Sequence, residues 1–218
     1  MFFRLSVRLS LAALIATAAV PVFPQVVPAA TEGGLPLEIG GGLSSFGTHL
    51  VNHEYPTHDY ITYKGDLLGP AAWADWYLYR YHLPSFMRGF GIEVEGRHLA
   101  YDNSGPAPLL KEDTGAGGII YMWRHYHNFH PYGKMLRGFG SIDFLGTYPG
   151  CTIDCNHDSD TFYAPGGGVE VHLMGNLWVR GDYEAEFWTH FGNPPNNTIY
   201  PHGFTVGVSY DLRHVHAH

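Results

Sequence analysis

The sequence predicts an all-β fold, an eight-stranded antiparallel up-and-down transmembrane β-barrel with short periplasmic turns and long extracellular loops. Three observations predict it. The stretch Phe204–Leu212 alternates Phe204, Val206, Val208, Tyr210 and Leu212 with Thr205, Gly207, Ser209 and Asp211, the period of a strand with one apolar face. Similar stretches recur along the chain and are joined by connections that alternate between short and long. The composition is 15% aromatic and only 15% charged, with 28 glycines, where an ordinary soluble domain carries about 25% charged residues.

The N-terminus reads as an export signal. Arg4 and Arg8 precede an apolar run from Leu9 to Val20, too short for a membrane-spanning helix and suited to a signal-peptide core. Small residues at Thr17-Ala18-Ala19 and Pro28-Ala29-Ala30 place the cleavage site between 19 and 30. The expected organisation is a signal peptide over 1–30, a barrel over 31–212 and a His-rich tail over 213–218. Past Ala30 no apolar stretch approaches the roughly 20 residues a transmembrane helix needs, so a membrane-bound mature chain has to be a barrel.

Strands are expected in order at Leu35–Ser45, Gly69–Arg80, Phe90–Ala100, Thr114–His125, Pro131–Phe144, Phe162–His172, Trp178–Trp188 and Phe204–Leu212. In the first, Leu37, Ile39 and Leu43 oppose Glu38 and Ser44. In the third, Ile92 and Val94 oppose Glu93, Glu95 and Arg97. In the seventh, Val179, Tyr183, Ala185 and Phe187 oppose Arg180, Asp182, Glu184 and Glu186. Short connections are expected near Tyr81–Ser85, Tyr126–His130 and Leu173–Asn176, and long ones near Gly47–Leu68, Asp102–Asp113, Gly146–Thr161 and Thr189–Pro201. That asymmetry is the layout of a transmembrane barrel.

Periodicity alone does not say which face is inside. Export, the aromatics and the scarcity of Lys on the polar faces favour lipid outside and charge inside. The expected interior charges are Glu93, Glu95, Arg97, Lys134, Glu170, Arg180, Asp182, Glu184 and Glu186, and they have to pair, because isolated buried charge is costly. In the fifth strand Lys134 and Arg137 are three apart and cannot share a face without a bulge. Lys134 is expected inside and Arg137 near an interface. Pro165 lacks a ladder donor and is expected at a bulge or a strand end.

Several motifs in the C-terminal half resemble the small outer-membrane β-barrel proteins of the OmpA/OmpX-like class. They are Pro131-Tyr-Gly-Lys134, Ala164-Pro-Gly-Gly-Gly168, Val179-Arg-Gly-Asp-Tyr-Glu184 with Phe187-Trp188, and Gly203-Phe-Thr-Val-Gly-Val-Ser-Tyr210. The resemblance runs from about Leu35 to Leu212. It implies insertion into the cell outer membrane by the assembly machinery, which reads a last-strand signal that Gly207, Tyr210 and Leu212 match. Leu212 stands where that class usually has Phe, and Arg213–His218 extends past the usual end. The partners this implies are outer-membrane lipid, lipopolysaccharide and the assembly machinery. An unidentified extracellular partner is also expected at the long loops, which carry Tyr55, His58 and Tyr60.

Other chemistry is weighed on its residues. A net charge of −8 speaks against nucleic acid. Cys151 and Cys155 sit close in an exported chain and read as a loop disulfide. The groups His214, His216, His218 and His125, His127, His130 suggest a weak metal site, but exposed polar ends account for them more simply. The glycine triplets Gly40–Gly42 and Gly166–Gly168 precede no helix and so are not phosphate loops. No cofactor, metal or catalytic residue is expected, and the chain is read as a structural or surface-interaction barrel. The two alternatives are a lipid A-modifying hydrolase using His157, Ser159 and Glu170, and an exported soluble lipocalin-like barrel with an apolar interior.

Overall fold

Alternating side chains along every wall force the chain into strands, and the strands close on themselves. The computed structural model describes residues 36–52, 61–78, 84–101, 109–125, 127–144, 157–191 and 197–212. The strands are β1 Leu37–Asn52, β2 Ile61–Tyr77, β3 Phe90–Tyr101, β4 Leu109–Met122, β5 Phe129–Phe144, β6 His157–Met174, β7 Leu177–Ala185, β8 Phe187–Phe191, β9 Asn197–Ile199 and β10 His202–Asp211. A short 3-10 turn, Ser85–Gly89, leads into β3.

These ten segments build eight walls. β8 continues β7 past Glu186 and keeps its register against β6. β9 leads into β10 across Tyr200 and Pro201. The ring runs β1–β2–β3–β4–β5–β6–β7–β10 and closes through antiparallel pairing of β10 with β1. This is the eight-stranded antiparallel up-and-down barrel the sequence predicts. Closure leaves no free edge along the ring. Among the described residues no helix is long and apolar enough to cross a membrane.

The strands reach further than their apolar alternation. β2 begins at Ile61, β4 at Leu109 and β6 at His157, inside segments expected to be long loops. Lys64 and Asp66, Lys111 to Asp113 and His157 to Asp160 break the apolar alternation at these ends, so hydrophobic patterning stops before the hydrogen-bonded ladder does. At the opposite end β6 turns into β7 through Gly175 and Asn176, with Gly175 at φ 56°, the left-handed backbone a two-residue hairpin turn needs.

Pro165 departs from its expected place. It lies within β6, opposite Met135 of β5, at neither a bulge nor a strand end. Its missing N–H falls where the β7 wall is itself interrupted: the ladder to β6 resumes at Gly166↔Glu184 on one side and Tyr163↔Phe187 on the other. Glu186 at that break donates its N–H to the Pro201 carbonyl at 2.7 Å instead. The interruption lets an interior wall accept a proline.

The expected signal peptide, Cys151, Cys155, the loop residues Tyr55, His58 and Tyr60, and the tail histidines lie outside the described residues.

Candidate functional site: the charged interior of the barrel

The burial pattern turns the barrel inside out relative to a soluble one. On β10, Phe204, Val206, Val208 and Tyr210 are exposed, while Thr205, Ser209 and Asp211 are buried. On β3, Ile92 and Val94 are exposed while Glu93, Glu95 and Arg97 are buried. The outward apolar belt on β6 runs from Tyr163 to Leu173, which at about 3.3 Å per residue and a tilt near 40° spans roughly 25 Å, the height of a lipid-facing band. Toward the loop ends the outer face turns polar: His98 Nδ1 meets Asp113 at 2.5 Å and His157 Nδ1 meets Asp143 at 2.5 Å.

Inside, three bases tie the walls together. Arg180 on β7 donates to Asp75 on β2 at 2.8 Å, to Glu93 on β3 at 2.6 Å, and to Asp182 at 3.2 Å. Its Nε also donates to the Tyr132 hydroxyl at 2.7 Å, which in turn donates to Asp182 at 2.7 Å. Lys134 on β5 lies 2.6 Å from Glu95, 2.9 Å from Glu184, 3.0 Å from Glu93 and 3.4 Å from Asp182. Arg97 on β3 binds Glu186 at 2.8 Å and Glu184 at 2.5 Å, and also pairs with Glu95. All of these charged side chains are at most 6% exposed. Each carboxylate has more than one donor within reach, the condition under which buried ion pairs offset their desolvation.

Glu93, Glu95, Arg97, Lys134, Glu170, Arg180, Asp182, Glu184 and Glu186 therefore all lie within the barrel. The first eight other than Glu170, with Glu186, form one network, and Glu170 stands nearer the turn end. Lys134 points in while Arg137 is exposed, its guanidinium 5.5 Å from the Tyr163 ring centre. No bulge is needed, since three positions along a strand place the two side chains on opposite faces.

Sequence reading missed Asp75 and Glu112, both 0% exposed. Asp75 sits in Ala72-Trp-Ala-Asp-Trp-Tyr77, where inward aromatics and small outward alanines blur the pattern. Glu112 fell within an expected loop. Ten buried acids, Glu38 and Asp211 among them, stand against the buried cations Arg97, Lys134 and Arg180 and the buried His130 among the described residues.

Toward the loop end the network gives way to an apolar plug of Phe46, Leu67, Leu99, Leu136, Ile142, Phe162, Ala164, Trp188 and Ile199. Phe162 and Trp188 stack with centroids 5.0 Å apart, and Trp188 Nε1 donates to Glu186 at 2.7 Å. Arg97 lies 4.4 Å from the Phe46 ring centre, where charge meets plug. Near the turn end Trp73 lies across the interior. A Cβ on Gly40 would sit 2.3 Å from its ring, so a glycine is required there.

The alternative constellations do not assemble. His157 and Ser159 lie on the outward face of β6 while Glu170 is buried. At about 3.3 Å per residue, Ser159 and Glu170 are roughly 36 Å apart along the strand. His125 and His127 are exposed, whereas His130 is buried and stacked on Trp178 with centroids 4.4 Å apart. A lipocalin-like interior would be apolar, and this one is acidic along much of its length. In the closing strand Tyr210 faces outward. A Cβ on Gly207 would sit 2.3 Å from the Gly41 carbonyl oxygen, and Leu212 donates its N–H to the Leu37 carbonyl at 2.9 Å.

No protein-family model matches the chain, and no curated protein matches it. Among solved structures, Ail, the attachment invasion locus protein of Yersinia pestis, aligns at 12% identity over 81% of this chain and 98% of its own, with a TM-score of 0.43. The outer membrane protein OprG from Pseudomonas aeruginosa aligns at 11% identity over 81% of this chain and 95% of its own, with a TM-score of 0.49. The N-terminal β-barrel domain of Pseudomonas aeruginosa OprF aligns at 12% identity over 81% and 99%, with a TM-score of 0.43. The fold stands on the strand ladder itself.

Proposed function

We propose that this chain is an integral outer-membrane barrel with a closed, structural interior, and that its long-loop end is the surface for interaction. One observation carries the reading: exposed apolar side chains and buried charged ones alternate around the ring, as on β3 and β10. A soluble protein rarely leaves so extensive an apolar surface in water, whereas lipid demands it, and closed barrels satisfy every backbone group without water. The export signal expected from the sequence and an antiparallel eight-walled ring fit the outer membrane rather than a helix-bearing inner one.

The interior supports a structural role over conduction. Eight walls leave little lumen, charged side chains fill its middle and an apolar plug closes its loop end. The partners in this reading are outer-membrane lipid and lipopolysaccharide around the belt, the assembly machinery during insertion, and a surface partner at the loops. Differential extraction tests it. The protein should stay with membranes through an alkaline carbonate wash and leave only with detergent. Recovery in the soluble periplasmic fraction would refute it.

A further inference from the structure

The turn end of the interior gathers the buried acids Glu38, Asp75, Glu170 and Asp211, and the Arg124 guanidinium stacks on Tyr77 nearby, 4.2 Å from its ring centre. Glu38 on β1 stands directly opposite Asp75 on β2 and Asp211 on β10. All three are at most 4% exposed. Like charges placed opposite one another on neighbouring strands repel, and the repulsion is not screened by water here. Glu170, 1% exposed, comes from β6, and a carboxylate oxygen from each of Glu38, Asp75 and Glu170 lies within 4.8 Å of the other two.

A second observation sets this group apart from the balanced network above it. Arg180 reaches Asp75 through one nitrogen but spends its other donors on Glu93, Asp182 and Tyr132. Among the described residues neither Glu38 nor Glu170 is ion-paired to Arg97, Lys134 or Arg180. Glu38 Oε1 and Asp75 Oδ1 are enclosed and accept no hydrogen bond. One oxygen each of Glu38 and Asp75 is thus left buried without a donor inside one acidic cluster, an arrangement that suits a cation.

We propose that Glu38, Asp75 and Glu170 form a buried site for a divalent cation of the Ca²⁺ type. The donors are all oxygen, which selects hard cations and not Zn²⁺ or Cu²⁺. Ca²⁺ binds oxygen at about 2.3–2.6 Å, so ligands on opposite sides of one ion stand up to about 5 Å apart. Mg²⁺, at about 2.0–2.1 Å, demands a tighter and more regular set. The bound ion joins β1, β2 and β6 at the turn end, where Arg180 ion-pairs with Asp75 but with neither Glu38 nor Glu170.

The test uses the full-length barrel folded in detergent, stripped with chelator and checked for native β content by circular dichroism. Tb³⁺ is the first probe, because Trp73 and Tyr77 neighbour the site and Tyr77 donates to Asp75 at 3.4 Å. The expected result is luminescence sensitised by protein excitation and displaced by Ca²⁺, with one Ca²⁺ bound per barrel in calorimetry. Glu38→Gln and Glu170→Gln keep size and packing and should each weaken Ca²⁺ binding by about tenfold or more. Absence of sensitised luminescence and of Ca²⁺ binding in the folded wild type would overturn the proposal. So would wild-type Ca²⁺ affinity in a folded Glu38→Gln/Glu170→Gln double variant. Two carboxyls sharing a proton in place of an ion would give the first of these results.

Discussion

Arg180 of β7 and Glu93 of β3 meet at 2.6 Å across the full width of the barrel, both at 0% exposure. β3 and β7 are four walls apart in either direction round the ring, so this pair bolts opposite walls together. Arg97 of β3 repeats the bridge in reverse by reaching Glu184 and Glu186. Lys134 of β5 sits between the two and touches acids from both walls.

Removing the bolt should therefore be expensive. Arg180→Ala leaves Asp75, Glu93 and Asp182 without their shared guanidinium, a loss of about 3–5 kcal/mol for a broken buried pair. Measured in chelator, Glu38→Ala removes a carboxylate that shows no ion pair among the described residues and should cost less. Urea unfolding of both variants in lipid vesicles measures the difference. A smaller loss for Arg180→Ala than for Glu38→Ala would mean that the interior is not organised around Arg180.

The plug makes a separate prediction. Trp188 is 0% exposed and stacks on Phe162, so Trp188→Ala should destabilise the barrel by about 3–5 kcal/mol through lost contacts and cavity formation. It also frees Glu186 from its indole donor. In planar bilayers the wild type should show no steady conductance. A stable open pore in the wild type would contradict the plugged interior.

Much of this was legible in the sequence because lipid and interior impose strict alternation on residues such as Val206 and Thr205 or Val94 and Glu93. Alternation faded where its physical cause did. The outer face of His157–Thr161 and Lys111–Asp113 lies beyond the apolar belt, so those strand ends read as loop, and Glu112 was lost with them. Asp75 was hidden because Trp73 and Tyr77, large and apolar, also point inward. That Arg180 finds Glu93 rather than its direct neighbour Glu170 depends on ring closure and register, and no local pattern encodes either.

The closing strand carries a prediction about insertion. Tyr210 is exposed on the outer face of β10, one residue from the end of the ladder. Tyr210→Asp puts a charge against lipid and removes an aromatic that the resemblance assigns to the insertion signal. Its membrane-inserted fraction should fall well below wild type, while deletion of residues 213–218 should leave insertion largely unchanged. Equal insertion of Tyr210→Asp and wild type would show that this residue serves neither purpose.

A closed barrel embedded in a membrane is held by a continuous ladder from β1 round to β10. The most direct measurement is the migration of membrane-extracted protein on an SDS gel with and without boiling. A ring without free edges resists SDS until heated. The expected result is a compact band in the unboiled sample that shifts to the position of the unfolded chain after boiling. A single band at one position in both samples would contradict it.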